Sequence, residues 1–181
     1  MTMFADMYLD PAEDPRADPP LQGGERETLA GFLRWQRQTL ELKCAGLDAA
    51  DLARRSVPDA TLSLLGLVRH LADVELSWFR RVLAGQQVPR RFRTEEDPDA
   101  AFSGAVADPA VVAAAWQAWR EEVAFAEDFV ARAASLDVSG TEPWRGAVSL
   151  RWVLVHLVEE YARHNGHADL LRQRIDGRVG Q

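Results

Sequence analysis

The stretch SLRWVLVHLVEEYARHNGHADLLRQRIDG, residues 149–177, decides the fold of this chain. Ser149 is a residue type that caps helix N-termini, and Gly177 is one that ends helices, so the stretch predicts one long helix. Its apolar residues recur at helical spacing and define a core-facing stripe: Val153, Leu157, Tyr161, Ala168 and Leu171. A helix of this length with one apolar stripe must pack against other helices.

Three further segments carry the same periodicity, and they predict helices over residues 25–45, 62–83 and 108–134. A short extra turn is expected over 48–54. No segment shows an alternating strand pattern, so we predict an all-α four-helix bundle without strands. The polar connection over 84–107 is long enough to cross the bundle, which predicts a long crossover connection between the second and third helices.

Composition limits both the organisation and the function of the chain. Its 181 residues predict a single bundle domain over 24–181, preceded by an extended Asp-, Pro- and Gly-rich arm over 1–23. The net charge of −7 argues against a nucleic-acid partner. No apolar run is long enough to span a membrane, and no secretory signal pattern is present. A single cysteine, Cys44, fits the reducing cytoplasm, where we expect the protein to act.

The histidines provide the main functional signal. Residues four apart on a helix share a face, so Glu160 and His164 project together from the last helix. On a helical wheel His164 falls near the centre of the apolar stripe and Glu160 at its edge, while His70 lies at the margin of the stripe on the second helix. We therefore predict a three-ligand metal site formed by His70, Glu160 and His164. Spacing alone does not exclude the alternative that these histidines are hydrogen-bonded core residues that bind no metal.

Other polar residues have weaker assignments. Glu75 projects from the apolar stripe of the second helix, where a carboxylate has to be paired. It either orients a ligand histidine from behind or pairs with an arginine. His156 and His167 are rim residues or weak candidates for proton transfer or thiol binding. Cys44 fits a small buried apolar residue better than a nucleophile. The cluster of Arg90, Arg91 and Arg93 either faces solvent or contacts an anionic substrate.

Two stretches resemble a known family. LVRHLADVELSW, residues 67–78, resembles the second-helix signature of the DinB-like metal-dependent four-helix-bundle proteins, in which His-Leu-x-x-x-Glu-x-x-Trp is typical. EEYARHNGHADLLR, residues 159–172, resembles their fourth-helix signature, in which an i, i+4 histidine pair is followed by Gly, Gln and Leu-Arg. The resemblance implies metal binding by His70 and His164. Glu160 stands where most of the family has histidine, and His167 replaces the usual glutamine.

The glutamate makes the chain similar to the thiol-dependent branch of this family, which includes mycothiol-dependent maleylpyruvate isomerases and mycothiol S-transferases. The resemblance implies a divalent metal, most simply zinc, although nickel, iron or manganese also suit two histidines and a carboxylate. It further implies a low-molecular-weight thiol of the mycothiol or bacillithiol type as co-substrate, a small electrophile as substrate and a homodimer as one possible assembly. Two alternatives stay open: a non-catalytic metal-binding or stress-related protein, and a metal-dependent hydrolase.

Overall fold

The structure, a computed structural model, describes residues 9–10 and 12–180. In these residues it contains helices α1 Glu25–Cys44, α2 Ala49–Ala53, α3 Leu64–Glu75, α4 Ala100–Ser103, α5 Pro109–Arg132 and α6 Leu150–Asp176. A π-helical segment, Leu76–Leu83, continues α3, and strands β1 Ser139–Glu142 and β2 Gly146–Ser149 precede α6. The long helices α1, α3, α5 and α6 confirm the predicted all-α four-helix bundle, and α2 is the expected short extra turn.

Capping residues set the ends of the long helices. The Ser149 side chain accepts a hydrogen bond from the backbone N–H of Trp152, and Gly177 ends α6 with a φ of 81°. Asp108 caps α5, with Pro109 in its first turn. Ser63 caps α3 by accepting from the N–H of Gly66 at 3.1 Å. Each predicted long helix therefore begins and ends within two residues of its observed bounds.

Helices α1 and α6 run in the same direction. Near their N-terminal ends, Glu25 accepts a hydrogen bond from Arg151 at 2.7 Å. Further along both helices, the side-chain amide of Asn165 donates to the carbonyl of Gln36 at 2.9 Å. Because the contacts follow the same order along both helices, α1 and α6 are parallel neighbours, although most of the sequence separates them.

Helix α3 runs opposite to α6. His70 contacts His164, with ring centroids 4.7 Å apart, while Trp78, further along the α3 direction, contacts His156 with centroids 4.9 Å apart. Later positions on one helix therefore meet earlier positions on the other. This antiparallel register determines which residues of α6 face His70.

The connection after the π-helical segment returns along the bundle. Its short helix α4 lies beside the first half of α3, where the guanidinium of Arg69 donates to the carbonyls of Ala100 and Ala101 at 2.9 and 2.8 Å. Helix α5 then starts near the same end as α3 and packs alongside it. The two helices are parallel, which confirms the predicted crossover connection and gives the directions up, down, down, up.

Two features differ from the prediction. The expectation of no strand is wrong at residues 139–149, where β1 and β2 form an antiparallel hairpin. Strands of four residues that pair only with each other are too short for a readable alternation. The second helix also changes from α to π geometry after Glu75, and the N–H of Ala84 donates to the carbonyl of Phe79, five residues back, at 2.9 Å.

The predicted N-terminal arm is described in part. Residues 1–8 and 11 lie outside the described residues, so the prediction for them is not tested. Arg16 is buried, lies over the Trp35 ring at 4.1 Å and donates to the hydroxyl of Thr39 at 2.9 Å. This part of the arm therefore packs on α1 of its own bundle. Among the described residues, no helix has the length and apolar character needed to cross a membrane.

Candidate metal centre

The fold brings His70, Glu160 and His164 together in one partly buried cluster. Glu160 Oε1 lies 3.4 Å from His70 Nε2 and 3.6 Å from His164 Nε2. One potential ligand atom from each of the three side chains lies within 4.8 Å of the other two. The i, i+4 spacing on α6 provides two of these groups, and the antiparallel register of α3 provides the third.

The donor set fits a divalent metal. Two imidazole nitrogens and one carboxylate oxygen are a common catalytic zinc set, and they leave a coordination position for water or substrate. Tetrahedral ligands at zinc bond lengths of roughly 2.0–2.1 Å are separated by about 3.3 Å. The distances from Glu160 to His70 and His164 are close to that separation. The two imidazoles, whose ligand atoms lie within 4.8 Å of each other, would have to come closer together around a bound metal.

The electrostatics of the cluster keep the carboxylate ionised. The imidazole of His164, followed by that of His70, holds the pKa of Glu160 well below its ordinary value of 4.5, although burial acts in the opposite direction. An ionised carboxylate between two imidazoles is the protonation state that a cation requires. His70 is also held on its outer side, where the Phe102 ring from α4 stacks on it with centroids 5.4 Å apart.

The two remaining histidines occupy different positions. His167 contacts the cluster from one side, with its Nδ1 atom 3.3 Å from His164 Nδ1. Burial, followed by the positive charges of His164 and Arg163, lowers the pKa of His167. His156 lies one turn before Glu160 and packs instead against two tryptophans, Trp78 and Trp152.

Glu75 has a different set of partners from the ligand histidines. Its two oxygens accept hydrogen bonds from Arg37 Nε and Nη2, each at 2.8 Å, and Oε1 also accepts from the Tyr161 hydroxyl at 2.9 Å. Trp119 Nε1 donates to the same hydroxyl at 2.8 Å. Among the described residues, no histidine is bonded to Glu75, so the arginine pairing that we gave as its alternative is what the structure contains. The network joins all four long helices, and its α6 member, Tyr161, directly follows Glu160 in the chain.

A cavity of about 600 Å³ opens beside His70. Its walls come from α3, the π-helical segment, the crossover connection and the tip of the hairpin. Its aromatic and basic lining residues include Trp78, Phe102, Trp144, Arg81, Arg90 and Arg93. Of the three candidate ligands, His70 lines this cavity, so a small molecule in the cavity would lie beside the candidate metal site.

Asp73 positions the basic part of this cavity, and sequence analysis did not identify it. Its carboxylate accepts backbone N–H groups of Arg91 at 2.6 Å, Phe92 at 3.2 Å and Arg93 at 2.8 Å. The loop is thereby fixed to α3 three residues after His70. No local sequence signal pairs a helix aspartate with a loop about twenty residues away. The hairpin that brings Trp144 to the cavity was missed for the same reason, although the sequence allowed Trp78 and Trp144 as pocket-lining residues, and both line this cavity.

Comparisons with known proteins agree with this geometry. A family model described as mycothiol-S-transferase matches residues 28–177. Among solved structures, the chain is similar to one titled "Crystal structure of the conserved protein of locus from Enterococcus faecalis", with a TM-score of 0.59 and 18% identity. The similarity covers 86% of this chain and 99% of that one, and at this identity it shows the fold alone. No protein with a curated description matches.

The family match confirms the DinB-like resemblance that the two helix signatures predicted. The match spans nearly all of the four long helices, the crossover connection and the hairpin. It includes all three candidate ligands, His70, Glu160 and His164. By this match, the chain belongs to the mycothiol-S-transferase family.

Proposed function

We propose that the protein is a metal-dependent thiol S-transferase, or a thiol-dependent isomerase, that acts on small electrophiles. The observation that carries the proposal is the convergence of His70, Glu160 and His164, one of which, His70, lines a cavity. Family membership supports a thiol of the mycothiol type as the co-substrate. A bacillithiol-type thiol has the same reactive cysteine sulfur. Such thiols are intracellular reductants, which fits the cytoplasmic location expected from the single cysteine.

The three cluster residues would hold zinc, or nickel, iron or manganese, through two imidazoles and one carboxylate. When bound, a divalent metal supplies a positive charge that lowers the pKa of a thiol placed beside it. The chain itself supplies the cavity that would orient the electrophile. In the transfer, the thiol sulfur forms a bond to the electrophilic carbon, and the leaving group departs with its electron pair. The thiol proton passes to a base.

The geometry separates the roles of the remaining histidines. If His164 uses Nε2 as a metal ligand, its Nδ1–H donates to Nδ1 of His167, which fixes the orientation of the ligand ring. We therefore propose His167 as a positioning residue. His156 stays a candidate proton acceptor because it contacts Trp78, a wall residue of the cavity. Glu75 would position Glu160 indirectly, because it accepts a hydrogen bond from Tyr161, the residue after Glu160 on α6.

Cys44 is unsuited to the role of nucleophile. Burial raises the pKa of its thiol to about 12, so it stays protonated near neutral pH. The reactive sulfur therefore has to come from the thiol co-substrate.

Metal analysis and turnover together test the proposal. We expect about one divalent metal per chain, and turnover of an electrophile such as iodoacetamide that requires both the metal and an added thiol. The substitution His164→Ala should abolish both metal and turnover, because two ligands hold a metal poorly. Leu170→Ala, an exposed position further along the same helix, is the matched control and should retain both.

The same experiment separates the alternatives. Turnover without added thiol would support a metal-dependent hydrolase. Bound metal with no turnover under either condition would support a non-catalytic metal-binding protein. A protein that binds no metal after reconstitution would overturn the assignment of the three ligands.

A further inference from the structure

We propose that the cavity beside His70 contains an anion subsite in which Arg81, Arg90 and Arg93 bind a carboxylate group of a co-substrate. The inference rests on the proposed function only in that the carboxylate would belong to a molecule that reacts at the candidate metal site formed by His70, Glu160 and His164. The subsite itself is argued from the charges around the cavity.

The three guanidinium groups converge from two parts of the chain. Arg81 belongs to the π-helical segment, whereas Arg90 and Arg93 belong to the crossover connection, and all three line the same cavity. None of them makes a side-chain hydrogen bond or ion pair with a residue in the described part of the chain.

Neighbouring arginines show the contrast. Arg91 donates to Glu121 at 2.7 Å and to Glu122 at 2.6 Å, and Arg80 donates to Glu122 at 2.5 Å. Within residues 90–93, Arg91 is thus paired with glutamates, whereas Arg90 and Arg93, which line the cavity, have no side-chain hydrogen bond or ion pair to another described residue.

The cavity arginines also act on one another. Burial, followed by the positive charges of Arg81 and Arg93, lowers the pKa of Arg90, while Asp73 acts in the opposite direction. Arg90 and Arg93 are exposed overall and Arg81 is half-buried, and the mutual repulsion of their charges on one cavity wall would be relieved by an anion bound between them. A planar carboxylate matches the geometry of guanidinium groups, which donate two parallel hydrogen bonds.

The carboxylates that line the cavity are Asp73, Asp99 and Glu142. Asp73 is committed to the loop N–H groups described above, and Glu142 accepts from the backbone N–H groups of Trp144 and Arg145 at 3.0 and 2.8 Å. Two of the three are thus already hydrogen-bonded to the backbone. Asp73 and Glu142 are therefore engaged with backbone N–H groups, and an incoming carboxylate would bind to Arg81, Arg90 and Arg93.

Binding of succinate, compared with its neutral analogue succinamide, tests the subsite without any reaction. We expect calorimetry on the metal-loaded protein to detect succinate binding in preference to succinamide. The double variant Arg90→Gln/Arg93→Gln should weaken succinate binding by at least about tenfold, because it removes the charged hydrogen bonds of two guanidinium groups to the carboxylate. Arg132→Gln/Arg174→Gln removes the same charge from exposed helix positions and should leave binding unchanged.

Equal succinate affinity in wild type and the cavity variant would place the anion elsewhere, for example on the metal, and would overturn the proposal. No preference for succinate over succinamide would overturn it as well. Because this measurement needs no turnover, it stands or falls separately from the proposed S-transferase activity.

Kinetics with matched reagents then identify the source of the carboxylate. If the electrophile carries it, the wild type will have a lower KM for iodoacetate than for iodoacetamide with 2-mercaptoethanol as the thiol. If the thiol carries it, thioglycolate will have a lower KM than 2-mercaptoethanol with iodoacetamide as the electrophile. In either case the preference should disappear in Arg90→Gln/Arg93→Gln, and its persistence there would contradict the subsite.

Discussion

The ion pair between Arg37 and Glu75 allows a stability prediction with a definite sign. Glu75 is 0% exposed and Arg37 is 5% exposed, so the pair lies inside the bundle. Replacing Glu75 with leucine leaves the guanidinium with one remaining acid, Glu127, which is half exposed and lies 3.7 Å from Nη1. The same substitution removes the acceptor of the Tyr161 hydroxyl.

The expected magnitude follows from these losses. Removing one partner of a buried ion pair costs about 3–5 kcal/mol, because the other charge stays desolvated. We therefore expect Glu75→Leu to lower the free energy of unfolding by that amount. In the double variant Arg37→Met/Glu75→Leu, the buried cation is gone and only the Tyr161 hydroxyl lacks an acceptor, at a cost of about 1–3 kcal/mol. The double variant should therefore be more stable than the single one.

Urea unfolding of the metal-free protein, followed by circular dichroism, measures both values. An Arg132→Ala substitution breaks the exposed pair with Asp128 and serves as a control, with an expected cost below about 1 kcal/mol. If the double variant proves less stable than Glu75→Leu, the uncompensated charge is not the main cost and the reasoning is refuted. Zinc affinity of the folded double variant then measures how far this network positions Glu160.

Three further predictions concern single residues. Cys44→Ser should retain thiol-dependent turnover, and native Cys44 should resist iodoacetamide at pH 8; loss of turnover would contradict our choice of nucleophile. In metal-free protein, the pKa of Glu160 is lower in the folded than in the unfolded state, so its carboxylate stabilises the fold above pH 4.5 and this contribution is lost as the pH falls. The difference in free energy of unfolding between the wild type and Glu160→Gln, measured in urea, should therefore shrink towards about pH 3. Gly140→Ala places a Cβ 2.0 Å from the Val82 carbonyl oxygen and should lower thermal stability by about 1–3 kcal/mol, whereas Gly166→Ala, with open space around its Cβ, should not destabilise.

Much of the fold could be predicted from the sequence because its determinants are local. The caps at Ser149 and Gly177 and the Asp108-Pro109 start are read from neighbouring residues alone. The crossover was predicted from loop length, since a short loop could only have produced an antiparallel neighbour. The π-helical segment after Glu75 was not predicted, because a shift from i−4 to i−5 bonding leaves no distinct apolar pattern.

The candidate site divides in the same way. Glu160 and His164 could be paired from their spacing on one helix, and His70 could be grouped with them from its place beside the apolar stripe of the second helix, a grouping that the family resemblance also implied. What lines the cavity depends on contacts between distant segments, such as the hydrogen bonds from Asp73 to the loop. Sequence alone grouped Arg90, Arg91 and Arg93 as one cluster. In the structure Arg91 pairs with two glutamates, whereas its neighbours face the cavity.

The antiparallel register of α3 and α6 explains why the third proposed ligand is Glu160 rather than His156. Glu160 lies four positions before His164, and His156 lies four positions before Glu160. Spacing alone therefore does not choose between Glu160 and His156. Because His70 meets α6 at His164 and Trp78 meets it at His156, the latter lies too far along α3 to join the cluster. A divalent ion held by two neutral imidazoles and one carboxylate keeps an uncompensated positive charge. Beside an arginine-lined cavity, such a charge would favour the ionised thiol and the anionic electrophile that we propose for this site.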